Sequence, residues 1–73
     1  MPKLIEGRTV HFVTSEREGA RHCAAIVSSV RDEARGLVNL AVFTAAGQTY
    51  AVENVEYSDE PRPRTWHWVE GTP

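Results

Sequence analysis

The sequence predicts an all-β domain, because short apolar segments with strand-like alternation follow one another along the chain with turn residues between them. The clearest of these segments is Leu37–Phe43, in which Val38, Leu40 and Val42 share one face. The segments between the strands are charged or contain glycine or proline, as is typical of turns. A small sheet that closes on its own core is the simplest architecture for this pattern.

Length and composition narrow the class of protein. The chain has 73 residues, of which 41% are hydrophobic, so residues 1–73 are expected to form a single small domain near the lower size limit for independent folding. The formal net charge of −2 argues against a protein devoted to nucleic acid, which usually shows a basic excess. The single cysteine, Cys23, indicates a reducing compartment. No apolar run predicts a signal peptide or a membrane span.

The first predicted strand is Arg8–Thr14, which is rich in β-branched and aromatic residues. Alternation along this strand points Val10 and Phe12 towards the core. His11 then lies on the other face of the strand, where a partly exposed histidine is an ordinary finding.

The next segment allows two interpretations on its residues alone. Ser15 and Glu18 have the spacing of a helix capping box, and Gly36 is a suitable helix stop, so a helix over residues 16–35 would give an α+β fold. A helical stripe of small and apolar residues follows the capping box: Ala20, Cys23, Ala24, Val27, Val30 and Ala34.

The alternative interpretation is a strand over Cys23–Val30. Gly19, the β-branched pair Ile26–Val27 and the serines Ser28–Ser29 all disfavour a helix interior. The residues alone leave the two interpretations evenly balanced.

The second half of the chain supplies the remaining strands. Thr49–Val52 and Val55–Tyr57 are either one strand broken at Glu53–Asn54 or two short strands. The loop Ser58–Arg64 contains two prolines, which cannot donate to a strand ladder, and Trp66–Val69 forms the final strand. The predicted core consists of one or both tryptophans together with Val10, Phe12, Ile26, Val38, Leu40, Val42 and Val52.

The ending Thr65–Glu70 holds both tryptophans of the chain. Positions two apart in a strand share a face, so Trp66 and Trp68 lie together and His67 points the opposite way. Two indoles on one face either seal the core or form one wall of a binding pocket.

Three blocks of the sequence resemble a family of short uncharacterised proteins of tailed bacteriophages and prophages: Ala24–Val27, Val38–Phe43 and Thr65–Glu70. Relatives often end in a Thr-Trp-His-Trp-Pro-Glu type of motif; here Val69 replaces the proline, and Arg64 stands where a glycine often precedes the threonine. The resemblance implies a small SH3-like barrel of about five short antiparallel strands. It therefore favours the strand over Cys23–Val30.

The resemblance implies a phage or prophage accessory protein in the cytoplasm of the bacterial host, and it supplies no reaction. We expect a non-enzymatic module that associates with itself or binds a host protein. The alternatives are an oligomer that sequesters a nucleotide-type small molecule and, less favoured by charge, a nucleic-acid-binding barrel. Aromatic rings for stacking and arginines for phosphate define the candidate binding residues. They are Tyr50, Tyr57, Arg62, Arg64, Trp66, His67 and Trp68.

Catalytic and metal-ligating patterns are sparse, and the sequence predicts no catalytic residue, metal or cofactor. Cys23 lies in an apolar run, where a cysteine usually behaves as a small hydrophobe. The spacing of His11, His22, Cys23 and His67 matches no zinc finger or knuckle. A metal site would require that His11, His67 and one of the adjacent pair His22 and Cys23 converge in space.

Overall fold

The computed structural model describes residues 3–69, which form a closed five-stranded barrel. The predicted small SH3-like barrel is confirmed. Predicted features at residues 1–2 and 70–73, including Glu70 of the tryptophan-containing ending, lie outside the described residues. No helix among those residues is long and apolar enough to cross a membrane. The strands are β1 (Thr9–Val13), β2 (His22–Asp32), β3 (Leu37–Phe43), β4 (Thr49–Tyr57) and β5 (Thr65–Trp68).

The barrel is closed by one parallel pair of strands. Each strand is antiparallel to the next as far as β4, and β5 is antiparallel to β1. The pair β4–β5 is parallel, with Glu56 opposite Thr65 and Tyr57 opposite Trp66. Strand directions cannot alternate all the way round a ring with an odd number of strands. The prediction of antiparallel strands therefore holds for every pair except this one.

The alternative helix over residues 16–35 is wrong. Only Glu16–Glu18 form a helical turn, of the 3-10 type, and Ser15 makes no side-chain cap hydrogen bond there. From His22 onwards the chain is strand β2, which pairs with β1 on one side and β3 on the other. The β1 ladder covers the first half of β2 and the β3 ladder the second, and together they direct the side chains of Ala25 and Val27 into the core.

The predicted core is largely confirmed, and its main error is in strand β2. Ile26 is 36% exposed, because the pairing of Val10 with Ala25 places Ala25 and Val27 inside and turns Ile26 outwards. Val52 packs against the core but is only half-buried. The buried core cluster consists of Val10, Phe12, Ala25, Val27, Val38, Leu40, Val42, Val55 and Trp66.

The break predicted at Glu53–Asn54 is an irregularity within a single strand. The β3–β4 register shifts between Val38 and Leu40, so β4 accommodates an extra residue. Asn54 has a φ of 56°, a left-handed conformation that asparagine tolerates better than most residues. Its backbone N–H donates a hydrogen bond of 3.0 Å to the Asn39 side-chain oxygen, which stabilises the irregular backbone.

Trp66 is the largest fully buried side chain of the barrel. Its ring makes edge contacts with Tyr57, at a centroid distance of 4.9 Å, and with Trp68, at 5.0 Å. Its indole Nε1–H donates a hydrogen bond of 2.7 Å to the backbone carbonyl of Gly36. The predicted shared face of the two tryptophans is confirmed, and Trp66 seals the core.

Gly36 lies where a side chain has no room. Its φ of +69° is left-handed, and a Cβ atom at this position would lie 2.8 Å from the Cβ of Tyr57. The turn between β2 and β3 therefore approaches the Tyr57–Trp66 pair closely because residue 36 is glycine.

We expect Gly36→Ala to destabilise the fold more than Gly47→Ala. Both glycines have a left-handed φ, so each substitution costs about 1–2 kcal/mol in backbone strain. Gly47 has nothing within 4 Å of an added Cβ, whereas Gly36 adds the clash with Tyr57. Urea unfolding of both variants measures the difference; equal losses would show that the close approach does not constrain the turn.

We expect Trp66→Phe to lower the free energy of unfolding by about 1–3 kcal/mol, because the partly buried Gly36 carbonyl loses its donor. Trp68→Phe is the matched control, since Trp68 is only partly buried. Chemical denaturation of the two variants compares them, and an equal or smaller loss for Trp66→Phe would contradict the role assigned to this hydrogen bond.

Candidate functional site

The structure distributes the predicted binding residues over several places rather than one site. Trp66, Trp68 and Tyr57 line a cleft of about 320 Å³ beside Gly36. Arg62 lines a second concavity, next to Tyr57, while Arg64 and Tyr50 line a third. His67 points outwards, on the opposite face of β5 from the tryptophans.

The tryptophan cleft offers little indole surface to a ligand. Trp66 is 1% exposed, so its ring faces are occupied by protein atoms. Trp68 is half-buried, and the guanidinium carbon of Arg8 lies 5.9 Å from the centre of its ring. This cation–π contact occupies part of the remaining indole surface.

The two predicted arginines are held in different ways. Arg62 donates from Nε to the hydroxyl of Ser58 at 3.1 Å, which ties it to its own loop. The backbone N–H of Arg64 donates to the Val13 carbonyl at 2.7 Å, and its side chain is exposed. At the end of β4, the Tyr57 hydroxyl donates to Asp59 of this loop, and this hydrogen bond is the main cause of the raised pKa of Tyr57.

A broader groove of about 770 Å³ lies between the β1–β2 connection and the β3–β4 turn. Partly buried Cys23 and Phe43 and exposed Tyr50 contribute apolar surface, and Glu18 and Arg21 add one charge of each sign. The pKa of Tyr50 is raised, first by burial and then by the negative charge of Glu18. Of the predicted binding residues, only Tyr50 belongs to this groove.

Three histidines converge on the outer face of the barrel. His11 lies directly opposite His67 in the β1–β5 register, and His22 pairs with Val13, two positions along the same face of β1. The ring centroids are 5.4 Å apart for His11 and His67, 5.0 Å for His22 and His67, and 6.3 Å for His11 and His22. The third residue that converges with His11 and His67 is therefore His22, whereas Cys23 packs against the core.

Among the three histidines of this cluster, His67 has the most perturbed ring environment. Its Nδ1 atom is buried and has no hydrogen-bond partner among residues 3–69. The pKa of His67 is lowered, first by burial and then by the neighbouring His22 and His11, so the neutral imidazole is favoured.

The sequence predicts that His11 and His67 point outwards, but it does not predict that they lie close to each other and to His22. Alternation alone places His11 and His67 opposite the core-facing residues of their strands. The missing information is that β1 lies between β2 and β5, which follows from barrel closure and from the register, not from residue spacing.

The chain matches no protein-family model, no curated protein and no solved structure.

We expect Trp66 to be protected from acrylamide, a water-soluble quencher of tryptophan fluorescence, because its ring is buried. The Trp68→Phe variant leaves Trp66 as the single tryptophan, so its quenching can be measured directly in the folded protein. The same variant in urea provides the fully exposed control. Equal quenching in the folded and unfolded protein would contradict the burial of Trp66.

Proposed function

We propose that this protein is a non-enzymatic binding module of phage or prophage origin, which associates with itself or with a host protein in the bacterial cytoplasm. The origin and location rest on the resemblance of Ala24–Val27, Val38–Phe43 and Thr65–Glu70 to short phage proteins. A small closed barrel supports a binding role, because its strands hold exposed turns and grooves on a rigid core.

The groove beside Tyr50 is the observation that carries this proposal. It is concave, it exposes an aromatic ring, and it carries Glu18 and Arg21 beside apolar surface. Apolar surface with a few polar groups is the usual composition of a binding site, and tyrosine is enriched at protein interfaces.

A protein partner fits the described residues better than a nucleotide-type ligand does. A nucleotide would need an accessible aromatic face close to an arginine that is free for phosphate. Trp66 is enclosed, and Arg62 donates a hydrogen bond from Nε to Ser58. Among the predicted residues, exposed Tyr50 and Arg64 are the one such pair, since they line the same concavity. A single ring and a single arginine are a weaker basis for nucleotide binding than the apolar groove is for a protein partner. The net charge of −2 also weighs against nucleic acid.

The placement of Cys23 supports the non-enzymatic part of this proposal. Its side chain packs against the core on the inner face of β2, whereas His22, the next residue in the strand, faces outwards. The adjacent thiol and imidazole therefore do not form the pair that nucleophilic catalysis by cysteine requires.

We expect Tyr50→Glu to abolish partner binding, because it places a charge on the apolar part of the groove. Ile26→Glu is the matched control: Ile26 is about as exposed as Tyr50, at 36% against 37%, and does not line this groove. Native mass spectrometry detects self-association, and crosslinking in host lysate followed by pull-down detects a host partner.

The proposal predicts that an oligomer or a specific host protein is present with the wild type and with Ile26→Glu but is lost with Tyr50→Glu. Proton NMR spectra of both variants establish that the barrel is intact. A wild-type protein that stays monomeric and captures no host protein, or equal binding by the two variants, would contradict the proposal.

A further inference from the structure

The histidine cluster draws one side chain from each of three adjacent strands. The strands lie in the order β2, β1, β5, and they carry His22, His11 and His67 respectively. The ladder hydrogen bonds fix the backbone at all three positions, so the rings are held together by the fold rather than by a mobile loop. All three histidines of the chain are in this cluster.

The spacing of the ring nitrogens suits a metal ion. One ligand nitrogen from each histidine can be chosen such that all three lie within 4.8 Å of one another. Nitrogens bound tetrahedrally to zinc at about 2.0–2.1 Å lie about 3.3 Å apart. The nitrogen–nitrogen separations therefore need to shorten by at most about 1.5 Å to reach tetrahedral zinc geometry, a distance within the range of side-chain rotation.

One ring nitrogen of this cluster lacks a hydrogen-bond partner within the described residues. The buried Nδ1 of His67 has no hydrogen-bond partner among the described residues, although buried polar atoms are normally satisfied. A metal ion bonded to this nitrogen would supply the missing partner.

We propose that His11, His22 and His67 form a binding site for a divalent transition-metal ion of the zinc class. Three imidazole nitrogens suit zinc, cobalt, nickel or copper and are poor ligands for magnesium or calcium, which prefer oxygen. Cys23 is not the fourth ligand, since its side chain lies on the opposite face of β2. The described group contains no carboxylate, and His22 is exposed, so the fourth position faces solvent and takes water or an external donor.

Two titrations of the purified chain, after removal of any polyhistidine tag, test the proposal. Isothermal titration calorimetry measures the binding of zinc chloride, and visible absorption spectroscopy follows the binding of cobalt chloride. We expect one ion per chain, a visible absorption from bound cobalt, and no binding of magnesium. NMR of the imidazole nitrogens reports whether all three rings respond to zinc.

His22→Gln is the decisive variant, because an exposed side chain can be changed with little effect on folding. We expect it to weaken zinc binding by more than the roughly 10- to 100-fold that loss of a supporting residue around a metal site costs. Cys23→Ser is the matched control at the neighbouring position of the same strand, and we expect it to retain full affinity.

Three results would overturn the metal site. The first is wild-type zinc affinity no greater than that of His22→Gln. The second is loss of binding in a folded Cys23→Ser variant. The third is one zinc ion per two chains with formation of a dimer, which would show that exposed His22 bridges molecules instead of completing a site within one chain. His22 also lines the groove beside Tyr50, so the two proposals meet at this residue. Tyr50→Glu removes none of the three ligands, and zinc binding retained by that variant separates the metal site from partner binding.

Discussion

The hydrogen bond from the Trp66 indole to the carbonyl of Gly36 is the contact on which the closed barrel depends most. It joins strand β5 to the turn between β2 and β3, two parts of the barrel that are not connected by strand pairing. Strand β5 has only four residues, and its pairing with β4 is confined to two positions. One buried indole thus supplies the packing and the polar contact that such a short strand cannot obtain from backbone pairing alone.

The parts of the fold that the sequence could predict are those in which one face of a strand differs clearly from the other. Leu37–Phe43 was predicted with its observed bounds, because Val38, Leu40 and Val42 alternate with less apolar positions. The run from Cys23 to Val27 is small or apolar at every position, so its residues do not reveal which of them face inwards. Ile26 was assigned to the core for this reason, and only the pairing of Val10 with Ala25 sets the correct alternation.

The candidate sites were harder to predict than the fold because they depend on which elements become neighbours. Alternation gives the direction of His11 and His67, but their proximity follows from the closure of β1 against β5. The groove beside Tyr50 likewise forms where two connections, distant in sequence, lie at the same part of the barrel. The two tryptophans are candidates both for sealing the core and for binding a ligand, and the demand of a very small domain for a large buried side chain accounts for the burial of Trp66.

The parallel two-residue pairing of β4 with β5 has a consequence for the order in which the barrel assembles. Strands β1 to β4 can pair in sequence through short connections, whereas β5 must find β1 at the far end of the chain, a contact of long sequence separation that forms slowly. Until it does so, β1 and β4 both present unpaired backbone edges. Because all copies of the chain are identical, the β5 strand of one copy can pair with β1 or β4 of another. Newly synthesised chains at high concentration are therefore exposed to domain swapping of β5.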